Sequence, residues 1–216
     1  DFKYISSAAI TKYEEDILYP LYTQMFRCQF ELKPGKIPTI QIKHGGGFVE
    51  NEYLTSSKGK EVTLCLNSVD LKLFFEQYNV YGIEYISGWK FTGTRGLFKD
   101  YIDKWSGNKI KAKEDGNHGL YLISKLFLNS LYGKFGTDNK VRSKIPYFDG
   151  EILHYQLGEY EHREGVYIAL ASFITSNARL KTISSAQKIM DDYNNGLSDI
   201  QFVYADTDSL HCVSPN

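Results

Sequence analysis

No stretch of the 216 residues approaches the roughly 20 consecutive apolar positions that a membrane-crossing helix needs. Cysteine is scarce. Cys28, Cys65 and Cys212 are odd in number and far apart, which excludes a disulfide framework or a cysteine-based metal spacing and fits a reducing compartment. The five histidines are equally scattered, so a zinc site is not expected. With only 5 prolines and 24% charged residues, the chain is neither collagenous nor a disordered linker. Net charge is nearly absent, at −1, which excludes a uniform polycationic coat for nucleic acid. Asp1-Phe2-Lys3-Tyr4 lacks the basic lead into an apolar run that marks a secretory signal. An initiator Met is missing too, so a piece of a longer chain is expected.

What is abundant is aromatic: 15% of the chain, with 17 Tyr, 13 Phe and 2 Trp. Tyrosine is apolar on its ring faces and polar at its tip, which suits surfaces that touch something. The near-neutral total also hides an asymmetry. Residues 90–144 hold twelve basic side chains, Lys104 and Lys113 among them, against five acidic ones. That middle carries +7 and the remainder −8. A solvated face is one reading. The other is a track for a polyanion, since each neutralised phosphate releases counterions and adds affinity. Aromatic rings such as Tyr101, Trp105, Phe127 and Tyr132 interleave with these charges, which is the chemistry of nucleic-acid tracking.

Alternation of Phe26, Cys28, Phe30 and Leu32 predicts a strand over 24–32 with one buried face. Pro34-Gly35 turns it, and Ile37 with 39–42 reads as the returning strand. Gly45-Gly46-Gly47 reads as a connection rather than a phosphate cradle, because no strand-to-helix context surrounds it. Further strands are expected at 62–66 and 81–91, with a helix between them from Ser68, its candidate cap, to Glu76. Leu97 to Trp105 reads as helix, 108–119 as a polar basic loop and 120–135 as helix. Residues 140–165 read as short strands, with Asp149-Gly150 as a hairpin signal. A long helix is predicted over 168–192, burying Leu170, Phe173, Ile174, Ala178 and Met190, and stopped by Asn194-Asn195-Gly196. Residues 201–213 read as strand, tight turn and strand.

Two motifs carry chemistry. The first is Tyr204-Ala205-Asp206-Thr207-Asp208-Ser209, set between apolar runs. Its two carboxylates crowd at a hairpin tip, which is unfavourable unless a cation is near. Oxygen-only ligands suit Mg²⁺, which keeps waters and completes its shell with substrate phosphates. A polar hairpin turn is the plainer reading. The second motif is Lys125-Leu126-Phe127-Leu128-Asn129-Ser130-Leu131-Tyr132-Gly133-Lys134. On a helix, Lys125, Asn129 and Tyr132 share one face, while Leu126, Leu128 and Leu131 point elsewhere and can dock it. A cation for a phosphate, a ring beneath a base or sugar, and Gly133 for close backbone approach suit a nucleotide. An amphipathic helix with a polar face and a glycine stop accounts for the same residues.

Together the two motifs resemble motif B (Lys-x-x-x-Asn-Ser-x-Tyr-Gly) and motif C (Tyr-x-Asp-Thr-Asp-Ser) of family B DNA polymerases, in the right order. Thr175-Ser176-Asn177-Ala178-Arg179 is similar to the Thr-x-x-Ala-Arg element near the primer strand in the protein-primed members. The stretches 31–43 and 96–105 resemble the protein-primed bacteriophage polymerases, so the likeness spans nearly the whole chain. It implies an α+β fold: a partial right-hand polymerase, with fingers helices and part of an antiparallel palm sheet, plus an α/β insertion subdomain. Residues 1–96 would be the first terminal-protein-binding insertion and 97–136 the fingers. Residues 137–162 would be the second insertion, serving strand displacement and processivity, and 163–216 part of the palm. Lys125 would neutralise the incoming triphosphate, and Tyr132 would line the nucleotide pocket with Asn129 and Gly133. Asp206 and Asp208 would be the catalytic carboxylates and would bind Mg²⁺, with Mn²⁺ as the alternative, in a two-metal site. Lys104, Lys113, Lys134, Thr175, Arg179, Tyr204, Thr207 and Ser209 would face DNA. The implied activity is template-directed dNTP addition that begins on a protein hydroxyl. The implied partners are primer-template DNA, a dNTP and a terminal protein primer, with no membrane, in the cytoplasm of a bacterial host and with the gene on a phage or prophage.

The family also needs motif A, Asp-x-x-Ser-Leu-Tyr-Pro. Asp16-Ile17-Leu18-Tyr19-Pro20 imitates it, but this Asp precedes Pro by four positions instead of six. The essential Asp is therefore expected upstream of Asp1, and the 216 residues alone are expected to be weak or inactive in catalysis. Leu120 and Tyr121 stand where the phage relatives carry basic residues. Two other readings accompany this one. A non-catalytic module from a split or decayed polymerase gene would bind terminal protein or DNA. An unrelated Mg²⁺-dependent phosphohydrolase would explain Asp206 and Asp208 but not residues 125–133.

Overall fold

The structure, a computed structural model of the chain, describes residues 2–6, 21–43, 51–164, 167–206 and 209–215. The expectations for Asp1, Asp16 to Pro20, Gly45 to Gly47, Thr207 and Asp208 lie outside the described residues. Two units divide the chain, Asp1–Thr94 with Thr175–Asn216, and Arg95–Ile174.

In the first unit, β2 (Leu21–Leu32) follows its sequence alternation: Phe26, Cys28 and Phe30 are buried, and Met25, Arg27 and Glu31 are exposed. It lies in an antiparallel sheet of order β1-β6-β2-β5, with β1 at Phe2–Ser6, β5 at Val62–Asn67 and β6 at Tyr78–Phe91. Helix α1 (Ser68–Gln77) covers one face with Leu71 and Phe74. Phe30 meets Phe74 and Tyr78 edge-on, at ring separations of 5.5 and 5.1 Å. Each such buried side chain contributes about 1.5–3 kcal/mol. Burial pushes the Cys28 thiol up to about 11. Opposite Cys28, β6 carries one extra residue, and Gly82 takes φ +59 there, which only glycine adopts without strain.

Two expectations in this unit are corrected. The cap of α1 is Asn67, one residue before Ser68, and its Oδ1 accepts from the amides of Val69 (3.1 Å) and Asp70 (3.0 Å). Residues 37–40 are not a returning strand, because their amides have other acceptors. The Tyr78 hydroxyl accepts from Thr39 N (2.8 Å) and Ile40 N (3.2 Å) and donates to the Leu54 carbonyl (2.8 Å). Ile37 N donates to Gln187 Oε1 at 3.1 Å. Strand β3 is only Gln41–Lys43, paired with β4 (Asn51–Tyr53). Burial raises the Tyr78 phenol above its ordinary range.

In the second unit, α2 (Lys99–Glu114) packs on α3 (His118–Phe135). Trp105 stacks on Phe127 with centroids 4.3 Å apart and planes 12° apart. The predicted loop at 108–119 is mostly helix. Lys and Ala favour it, Ala112 is buried, and Asn117 caps α3 by accepting from Leu120 N at 3.0 Å. The predicted short strands are one long hairpin of β7 (Lys140–Asp149) and β8 (Ile152–His162), closed by a two-residue loop with Gly150 at φ +65. Helix α4 spans Ile168–Asn194. It buries Phe173 as expected, but Ile174 and Ala178 are exposed. Ser176, Ala186 and Gln187 are buried instead, and polar groups of the first unit reach Ser176 and Gln187.

Candidate functional site

The motif C residues form a hairpin in the first unit. Strands β9 (Gln201–Asp206) and β10 (Ser209–Val213) pair Asp206 with Ser209 and Tyr204 with His211. The β-forming Phe202, Val203 and Tyr204 explain the strand. Asp206 is exposed at the end of the ladder. The Ser209 hydroxyl donates to the Asp206 carbonyl oxygen at 3.0 Å. The Tyr204 and His211 rings stack with centroids 4.2 Å and planes 6° apart. Carboxylate, hydroxyl and carbonyl oxygens are the donors that hard cations take, so the Asp206 end of the hairpin fits Mg²⁺ better than a soft metal. Among the described residues, no three His, Cys, Asp or Glu side chains cluster as a metal site.

The motif B residues form the second half of α3, in the second unit. Lys125, Asn129, Tyr132 and Gly133 are all exposed, and the first three share a face. The adjoining side of the helix docks. Ser124 is fully buried and donates to the Leu120 carbonyl at 2.7 Å, and Tyr101 donates to the Phe127 carbonyl at 3.1 Å. Leu128 and Leu131 are half-buried, as expected for docking. Leu126 is not, at 64% exposure, because it projects roughly opposite the α2 contact. A Cβ at Gly133 would meet nothing within 4 Å among the described residues, so none of them requires glycine there by packing.

Thr175 is exposed on α4, and Arg179 pairs with Asp70 at 2.6 Å. The other Asp70 oxygen accepts from Ser176 Oγ at 2.6 Å, and Ser176 Oγ accepts from Asn67 Nδ2 at 2.6 Å. This set ties the start of α1 to α4. Sequence reasoning missed Asn67, Asp70, Ser176 and His211. Only His211 left a signal: it stands two residues beyond Ser209, hence on the same strand face. Lys104, Lys113 and Lys134 are exposed, with Lys104 Nζ 5.4 Å from the Trp105 ring centre.

Residues 1–215 match the family described as DNA polymerase type B, organellar and viral. The DNA polymerase of Bacillus phage phi29 is 47% identical over 201 residues, 93% of this chain and 33% of the relative. That of Streptococcus phage Cp-1 is 37% identical over 196 residues, 88% of this chain and 32% of the relative. The phi29 polymerase solved with primer-template DNA and incoming nucleotide superposes with a TM-score of 0.80 at 43% identity, covering 100% of this chain and 35% of that one. Its orthorhombic crystal form gives 0.78 at 42% identity. This chain thus spans about a third of the length of these relatives.

Proposed function

Because the chain belongs to the organellar and viral type B DNA polymerases, we propose that it is part of an enzyme that adds dNTPs to DNA under template direction, beginning on a terminal protein. The observation that carries this is the α3 face: Lys125, Asn129 and Tyr132 exposed together beside an open Gly133 on a helix docked along its flank. Lys125 holds the triphosphate by charge. The Tyr132 ring, with Asn129 and the bare backbone at Gly133, shapes the space for the sugar and base. Asp206 and Asp208 direct oxygen ligands at the reacting end of the primer, and Ser209 and Tyr204 border it. Mg²⁺, or Mn²⁺ in its place, supplies activation of the primer hydroxyl and stabilisation of the leaving pyrophosphate when bound. The protein's share is positioning and charge.

By the same reading, residues 1–96 engage the terminal protein, 97–136 are the fingers, 137–162 assist strand displacement and 163–216 belong to the palm. The change of unit after Thr94 supports the first of these boundaries. Lys104, Lys113, Lys134, Thr175, Arg179 and Thr207 lie along primer-template DNA. No described helix is long and apolar enough to cross a membrane, and the enzyme acts in the cytoplasm of a bacterial host. The test is a polymerase in which this chain replaces the matching third of the phi29 enzyme. Mg²⁺-dependent extension of a primed template is expected. A chimera that folds and binds DNA without extending it would instead favour a non-catalytic binding module.

A further inference from the structure

Tyr204, Asp206, Ser209 and His211 occupy one face of the β9–β10 hairpin, since Tyr204 pairs with His211 and Asp206 with Ser209. The His211 ring lies flat on Tyr204, and its Nε2 sits 3.3 Å from Ser209 Oγ. A hydroxyl has one proton. That of Ser209 goes to the Asp206 carbonyl oxygen at 3.0 Å. Ser209 Oγ can then only accept from the ring, which makes Nε2 the protonated nitrogen. The contacts therefore run in one direction: the stack on Tyr204 orients the imidazole, its N–H orients the hydroxyl, and the hydroxyl holds the Asp206 backbone. The Asp206–Ser209 pair is the last rung before the loop. Behind His211 the register slips, between His211 and Cys212, so the regular ladder that supports the tip ends at His211 itself.

We propose that His211 is a positioning residue for the polymerase reaction, setting the aim of the Asp206 carboxylate through Ser209. The proposal rests on the reading of this hairpin as the metal-binding end of the site. Outer groups that orient metal ligands typically change activity or metal affinity by about 10–100-fold when removed.

Two measurements test it. In the 216-residue chain, the imidazole nitrogen resonances should show His211 protonated at Nε2, and Ser209→Ala should redistribute the proton between the two nitrogens. An unchanged tautomer in S209A overturns the proposal. In the phi29 chimera, His211→Phe keeps the ring on Tyr204 but loses the donor. It should lower kcat about 10-fold with the KM for dNTP unchanged, and raise the Mg²⁺ concentration for half-activity. His211→Gln, which restores an N–H, should recover most of the loss. The H211F/S209A double variant should be no worse than either single variant. Full activity in H211F, or losses that multiply in the double variant, overturns the proposal alone. Asp206→Asn serves as the control: an active D206N chimera overturns the metal-site reading and the proposal with it.

Discussion

Gly133 weakens the helix that carries it, by up to about 1 kcal/mol relative to alanine, yet no neighbour among the described residues needs the missing side chain. A glycine without an internal reason points to something that docks from outside. Gly133→Ala should therefore raise the melting temperature of the 216-residue chain slightly while weakening dNTP binding in the chimera. Calorimetry and steady-state KM would show the two opposite signs. Lys125→Ala removes one charge-assisted contact, about 1.5–3 kcal/mol, and should raise the KM for dNTP roughly 10- to 100-fold. The thiols separate just as clearly. Cys28 is buried with its thiol pushed up to about 11, whereas Cys212 is exposed. Alkylation at neutral pH should label Cys212 and spare Cys28 until the chain is denatured, which peptide mapping would read directly.

Helix α1 shows how one side chain can serve two elements. Asn67 accepts from two amides of its own helix and donates to Ser176 on α4. Asn67→Ala should cost about 1–2 kcal/mol, more than an exposed cap, because it also strips a buried partner from Ser176. Thermal denaturation of N67A beside N67D, which keeps the cap acceptors but not the amide donor, would divide the two contributions. The contrast with α2 is instructive. Residues 108–114 look like a loop when polarity is counted, since Lys, Asn and Glu dominate. They are helical because Ala112 finds a partner surface and the lysine stems tolerate helix well. Polarity reports solvent exposure, and an exposed helix face is as polar as a loop.

Stability of the whole chain should fall at alkaline pH. The Cys28 thiol rises from 9.0 to about 11 and the Tyr78 phenol lies above 10.0, each mainly by burial. Both groups hold their protons in the folded chain after the unfolded chain has lost them, so folding is fully stabilised below about pH 9 and weakens as pH climbs through the raised values. Denaturant midpoints at neutral pH and near pH 10.5 should show the drop, and Cys28→Ala should flatten the part that begins near pH 9. At this level the sequence by itself determined the strands at 24–32 and 201–213, the helices at 120–135 and 168–192, the shared face of Lys125, Asn129 and Tyr132, and the family, because periodicity and motif spacing are local and survive without partners. Tertiary structure alone decided what residues 37–40 do with their amides and why α4 buries Ser176 and Gln187. Those outcomes depend on hydrogen-bond partners such as Tyr78 and Asp70 that are distant along the chain, and no local pattern records a contact of that kind.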